Sequence, residues 1–166
     1  SAPVVETVGI TVVDVDDPPV VGTADLNAQE DGTINITEAQ LLKDAYDPDG
    51  EALSVSNLAV DESVGTISGP VVTGQGEGAM TSWTFTPAAD SSGDVTLTYD
   101  VTDGTMTTST SATVHVSPVN DPPEAGDVSL SMDEDGELVI TGAQLLAGAS
   151  DVEGDALSVT QVTFGG

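Results

Sequence analysis

The chain lacks cysteine altogether. Disulfides are therefore excluded as a source of stability, and the redox state of its compartment leaves no trace in the sequence. Basic residues are almost as scarce. Lys43 stands alone, with no arginine, against 29 acidic residues and a formal net charge of −28. That imbalance excludes nucleic acid and anionic membrane surfaces as partners, because both are held by neutralising Lys and Arg. Cations are the natural partners. No signal peptide is recognisable and no apolar run is long enough to span a bilayer, so no membrane insertion is expected.

The shortage of chemical groups also bears on catalysis. The one histidine, His115, alternates with Val114 and Val116 and is expected to face solvent, where we assign it no chemistry. There is no Ser-His-Asp arrangement and no glycine-rich phosphate loop. Paired carboxylates serve glycosidases, but one Trp and two Tyr offer few platforms for stacking sugars. The chain is read as non-enzymatic. A carbohydrate-binding sandwich is the alternative function, and it requires aromatics exposed on one sheet face.

What the sequence does contain is a repeat. Val15-Asp16-Asp17-Pro18-Pro19 returns as Val119-Asn120-Asp121-Pro122-Pro123, 104 residues later. The offset holds without slippage: Glu30-Asp31-Gly32 returns as Glu134-Asp135-Gly136, and Ala39-Gln40-Leu41-Leu42 as Ala143-Gln144-Leu145-Leu146. Asp47-Pro48-Asp49-Gly50 returns as Asp151-Val152-Glu153-Gly154. A fixed period of this length marks a tandem array of whole domains. Residues 17–120 are expected to form one complete unit, large enough for its own apolar core. Residues 1–16 are expected to be the last strand of a preceding unit, and 121–166 the front of a following one. The chain is thus read as a window on a longer array.

Within the complete unit the pattern is of short strands and turns. Ahead of it, Val8, Ile10 and Val12 alternate with Gly9, Thr11 and Val13, which reads as a half-buried strand. Residues 20–28 and 33–36 read as the first two strands of the complete unit, and Thr37 with Gln40 has the form of a capping box opening about one helical turn. Asp47-Pro48-Asp49-Gly50 is a turn. Strands follow at Leu53–Val60, Ile67–Thr73, Trp83–Phe85, Val95–Val101 and 109–117. Seven short strands and almost no helix predict an all-β, Greek-key β-sandwich.

If consecutive strands reverse direction, the acidic residues gather at two ends. The upper end collects Asp16, Asp17, Asp47, Asp49 and Asp103. The lower end collects Glu30, Asp90, Asn120 and Asp121, and the next unit adds Asp151 and Glu153. Acidic residues elsewhere drift between copies: Asp25, Glu38 and Asp44 become Ser129, Gly142 and Gly148. Those at the joint persist as oxygen donors, Glu134 repeating Glu30. Crowded carboxylates repel and raise each other's pKa unless a cation lies between them. A donor set of oxygens alone favours a hard ion, and calcium accepts six to eight oxygens in flexible geometry.

These residues carry a resemblance. Asp14-Val15-Asp16-Asp17-Pro18-Pro19 and Val119-Asn120-Asp121-Pro122-Pro123 resemble the cadherin linker, and Asp47-Pro48-Asp49 its Asp-x-Asp motif. Glu30-Asp31-Gly32, the Ala-Gln-Leu-Leu turn, Trp83-Thr84-Phe85-Thr86-Pro87 and Tyr99-Asp100-Val101-Thr102-Asp103-Gly104 resemble bacterial cadherin-like tandem repeats, such as the extender domains of giant RTX-type adhesins. The resemblance implies an Ig/cadherin-like fold and a rod of sandwiches stiffened by interdomain calcium. It implies a place outside the cell, at a bacterial surface, with adjacent repeats as partners. It also implies that Asp16, Asp17, Asp47, Asp49 and Asp103 serve the upper site, and Glu30, Asn120, Asp121, Asp151 and Glu153 the lower. The sequence departs from cadherins in lacking an Asp-Arg-Glu motif, for which Asp90 is a loose stand-in. Glu153 also stands where the motif has Asp. One or two ions per joint are therefore expected rather than three.

Overall fold

The computed structural model describes residues 3–163. Its strands are β1 (Ala24–Gln29), β2 (Ile34–Thr37), β3 (Ser54–Ala59), β4 (Gly65–Thr73), β5 (Met80–Pro87), β6 (Gly93–Thr102) and β7 (Thr107–Ser117). They form a four-stranded sheet in the order β1-β7-β6-β3 and a three-stranded sheet in the order β2-β5-β4. This is the expected seven-stranded all-β sandwich. All pairings are antiparallel except β1 with β7, which run side by side in the same direction.

Alternation along each strand makes the core. On the four-stranded sheet, Leu26, Val55, Val95, Leu97, Tyr99, Val101, Ala112, Val114 and Val116 point inward, and Ile36, Trp83 and Phe85 meet them from the other sheet. The buried aromatics are therefore core residues, as the period-two pattern requires. Between β2 and β3, Thr37 caps the single turn α1 (Glu38–Leu41) through a reciprocal capping box with Gln40. The buried Tyr99 hydroxyl donates to the Leu41 carbonyl at 3.0 Å, tying that turn to the opposite sheet.

β3 explains a phase change in the sequence. Val55 is buried, but the next apolar residue is Leu58 rather than residue 57. Asn57 adopts a left-handed φ of 54°, and the register with β6 shifts between Ser56 and Ala59. Such a bulge turns the following side chains over to the core face.

Two expected strand regions differ. Residues 8–13 form no strand, and Val8, Ile10, Val12 and Val13 are exposed. By the repeat they match β7, a central strand with a neighbour on each side, and the described residues supply neither neighbour. Alternation without a partner leaves backbone groups to water. Beyond residue 123, the strands expected for a following unit are likewise not formed among the described residues. What forms is the local structure: the capped turn α2 (Gly142–Leu145) and a bridge between Glu124 and Ser150. Residues 1–2 and 164–166, the outer ends of those expected segments, lie outside the described residues.

Candidate metal centre at the joints

The pairing fixes where acidic residues meet. β1, β3 and β7 run one way and β6 the other, so loops of alternate hand collect at opposite poles of the sandwich. At the upper pole, Asp16, Asp49 and Glu51 bring one carboxylate oxygen each within 4.8 Å of the others. The joint is clasped by a backbone bond, in which the Asp17 amide donates to Asp49 Oδ2 at 2.7 Å. Asp47 organises the turn beneath: its Oδ1 accepts from the amides of Asp49, Gly50 and Glu51. Burial pushes the Asp47 carboxyl up, but the Glu51 carboxyl and those amides outweigh it, so it stays below the usual range. Glu51 is raised instead, by its hydrogen bond with Asp47, by desolvation and by the charges of Asp47 and Asp49.

Asp103 reaches the same pole from the β6–β7 turn. Its Oδ1 accepts from the amides of Met106 and Thr105, and these hold its carboxyl below the usual range. The Thr105 hydroxyl bridges Asp103 to Asp16. In both Asp47 and Asp103, Oδ1 accepts the turn amides, while Oδ2 is buried and receives no amide or hydroxyl donor. A buried carboxylate oxygen left unpaired costs free energy, and a cation bound beside the acidic trio would satisfy two of them at one pole. The donors are all oxygens, and among the described residues no lysine or arginine pairs with any of them. The set fits a hard divalent ion such as calcium.

The lower pole joins the sandwich to the segment that begins at Asp121. Glu30 is buried at the β1–β2 turn, and its Oε1 accepts the Val119 amide at 2.7 Å. Oxygens of Glu30, Asp121 and Glu153 lie within 4.8 Å of one another. One comes from the sandwich, one from the linker and one from the turn beyond. Desolvation raises the Asp121 carboxyl, and the charges of Asp31, Glu153, Asp90 and Glu30 add to the shift.

Three contacts of the upper joint recur at the lower. The Asp17 amide on Asp49 reappears as the Asp121 amide on Glu153 Oε2, at 3.2 Å. The bridge Val20–Tyr46 reappears as Glu124–Ser150. Asp151 Oδ1 accepts the Asp155 amide, as Asp47 accepts that of Glu51.

Of the residues singled out in the sequence, Asp16, Asp17, Asp47, Asp49 and Asp103 lie at the upper pole. Glu30, Asp121 and Glu153 meet at the lower, with Asp90 near enough to act on Asp121 by charge. Three stand apart. The Asn120 amide donates to the Asp121 carbonyl rather than facing the trio. Asp151 serves its own turn. Glu134 is exposed and belongs to neither trio, as its place one repeat beyond Glu30 implies. Glu51 and Asp31 were missed. Both are acidic in both copies, as Glu51 with Asp155 and Asp31 with Asp135: a comparison carried past the Asp-x-Asp motif would have found Glu51, and Asp31 stood inside the repeated Glu-Asp-Gly turn.

Among solved structures, the endo-fucoidan hydrolase MfFcnA4 of glycoside hydrolase family 107 is similar at 21% identity and a TM-score of 0.43, over 61% of this chain and 14% of its own. The related hydrolase MfFcnA9 is similar at 18% identity and a TM-score of 0.40, over 59% of this chain and 15% of its own. This chain thus spans a small part of either hydrolase, and the likeness carries no argument about chemistry. No curated protein matches significantly. The family model for the cadherin-like domain matches twice in succession, over residues 15–117 and 119–166. The chain belongs to the cadherin-like domain family.

Proposed function

We propose that this chain is a calcium-stiffened extender segment of a long bacterial surface adhesin or fibre, holding a binding module away from the cell. Cadherin-like domains are usually extracellular, typically bind calcium and contact neighbouring repeats, and are generally not enzymes. No helix among the described residues is long and apolar enough to cross a membrane. We propose 17–120 as a complete repeat, with residues 1–16 and 121–166 belonging to its neighbours. The observation that carries the reading is the trio Glu30, Asp121 and Glu153, because its members come from two repeats and the linker between them. In calcium's absence they repel across the joint. With calcium they share one coordination shell, Asp16, Asp47, Asp49, Glu51 and Asp103 doing the same at the upper joint.

Extracellular calcium modules bind at ~10⁻⁴–10⁻³ M. At free calcium about a hundredfold above the dissociation constant, linkage adds ~2.7 kcal/mol per site to the ordered state. That is large against the ~5–15 kcal/mol of stability of a whole domain. The carbohydrate-binding alternative needs aromatics exposed on one sheet face, but Trp83 and Tyr99 are buried and the exposed Tyr46 lies in the bridge to Val20, outside both sheets. Calorimetric calcium titration of the chain tests the proposal, with Asp121→Asn and Glu153→Gln as variants. Calcium binding at the lower joint should weaken in both variants and the upper joint should be unchanged. No calcium heat in the unmodified chain would end the reading.

A further inference from the structure

His115 lies away from both poles, on the solvent face of the four-stranded sheet. Register sets its neighbours: Asp94 stands opposite it on β6. On β1, Asn27 stands opposite, and Asp25 lies two residues back on the same face. His115 Nδ1 is 2.7 Å from Asp94 Oδ1, and Nε2 is 3.9 Å from Asp25 Oδ1. A carboxylate only accepts, so Nδ1 carries the proton toward Asp94. In the neutral imidazole the Nε2 lone pair is then bare and faces the Asp25 carboxylate. A gap of 3.9 Å is too long for a hydrogen bond. Two donors that each hold a tetrahedral ion at about 2.0–2.2 Å lie about 3.3–3.6 Å apart, a few tenths of an ångström closer, and the exposed Asp25 side chain has room to close that difference.

We propose that His115 Nε2 and Asp25 form a surface site for a borderline divalent transition ion such as zinc, with Asp94 as the positioning residue and water completing the shell. A carboxylate on the far nitrogen of a metal-binding imidazole fixes its tautomer and raises its basicity. Imidazole nitrogen suits zinc, copper and nickel, while calcium takes oxygen, so the site and the joints select different ions. It is also peculiar to this stretch of the chain. One repeat on, Asp25 becomes Ser129, and one repeat back, His115 becomes Thr11.

The test is zinc titration by calorimetry on the whole chain in saturating calcium, which occupies the joint carboxylates. The unmodified chain should bind one zinc more than His115→Gln, a substitution at an exposed position that leaves the core untouched. Asp94→Asn should weaken that one site by about 10–100-fold without abolishing it. Nitrogen-15 spectra of the zinc-free chain above the histidine pKa should show the Nδ1–H tautomer. Equal zinc binding by the unmodified chain and His115→Gln, or an Nε2–H tautomer, overturns the proposal.

Discussion

Leu97 and Val114 are fully buried as diagonal neighbours on β6 and β7, while between them Thr96 is exposed and Thr113 half-buried. Leu97→Ala should therefore cost about 2–5 kcal/mol in urea unfolding, and Thr96→Ala less than about 0.5 kcal/mol. That difference was legible in the sequence, because alternation alone assigns each residue to a face. The second ligand tier was less so. Asp47 and Asp49 announce themselves as an Asp-x-Asp turn, but Glu51 enters the upper trio only because Asp47 folds the turn back by accepting its amide. His115 gives a prediction of another kind. Its hydrogen bond to Asp94, and then the charges of Asp94 and Asp25, raise its folded pKa. A raised folded pKa means that the contribution is complete below the unfolded value near 6.5 and is lost as pH rises through the folded one. In chelator, thermal melts of the unmodified chain and His115→Gln should differ most near pH 5 and converge in alkali. A constant difference across that range would contradict the pairing.

At the scale of elements, the turns proved more autonomous than the strands. The capping box at Thr37 and Gln40 forms again at Thr141 and Gln144, although no strand among the described residues forms beside the second. A cap satisfies its own amides locally, whereas a strand needs a neighbour. Hence Val8–Val13, read correctly as alternating, could not be read as paired. Thr37→Ala should cost about 1 kcal/mol in the sandwich, and Thr141→Ala should leave the same melt unmoved. The β4–β5 pairing holds a tighter constraint that no pattern exposes. A Cβ on Gly65 would lie 2.6 Å from the Phe85 ring and 2.7 Å from the Thr86 carbonyl. Gly65→Ala should destabilise by about 1–3 kcal/mol through overpacking, and a melt equal to that of the unmodified chain would show that the strands part freely there.

At the scale of the whole molecule, the poles were legible because strand reversal places alternate loops at opposite ends, whatever the details of pairing. The poles lie a sandwich apart, far beyond the ~8 Å over which charges interact in physiological salt. Asp47→Ala should therefore weaken calcium at the upper joint alone, and Asp151→Ala, by loosening the turn that carries Glu153, at the lower joint alone. Loss of both sites from one substitution in calorimetry would contradict two separate centres. The central claim is that calcium fixes the angle at the lower joint. Because the chain has no cysteine, spin labels can be placed uniquely at Thr96→Cys on the sandwich and Glu137→Cys beyond the joint. The distance distribution between them should be broad in chelator and collapse to one narrow peak in millimolar calcium, with Asp121→Asn remaining broad in both. Identical distributions with and without calcium would mean that these carboxylates solubilise the chain and do not stiffen it.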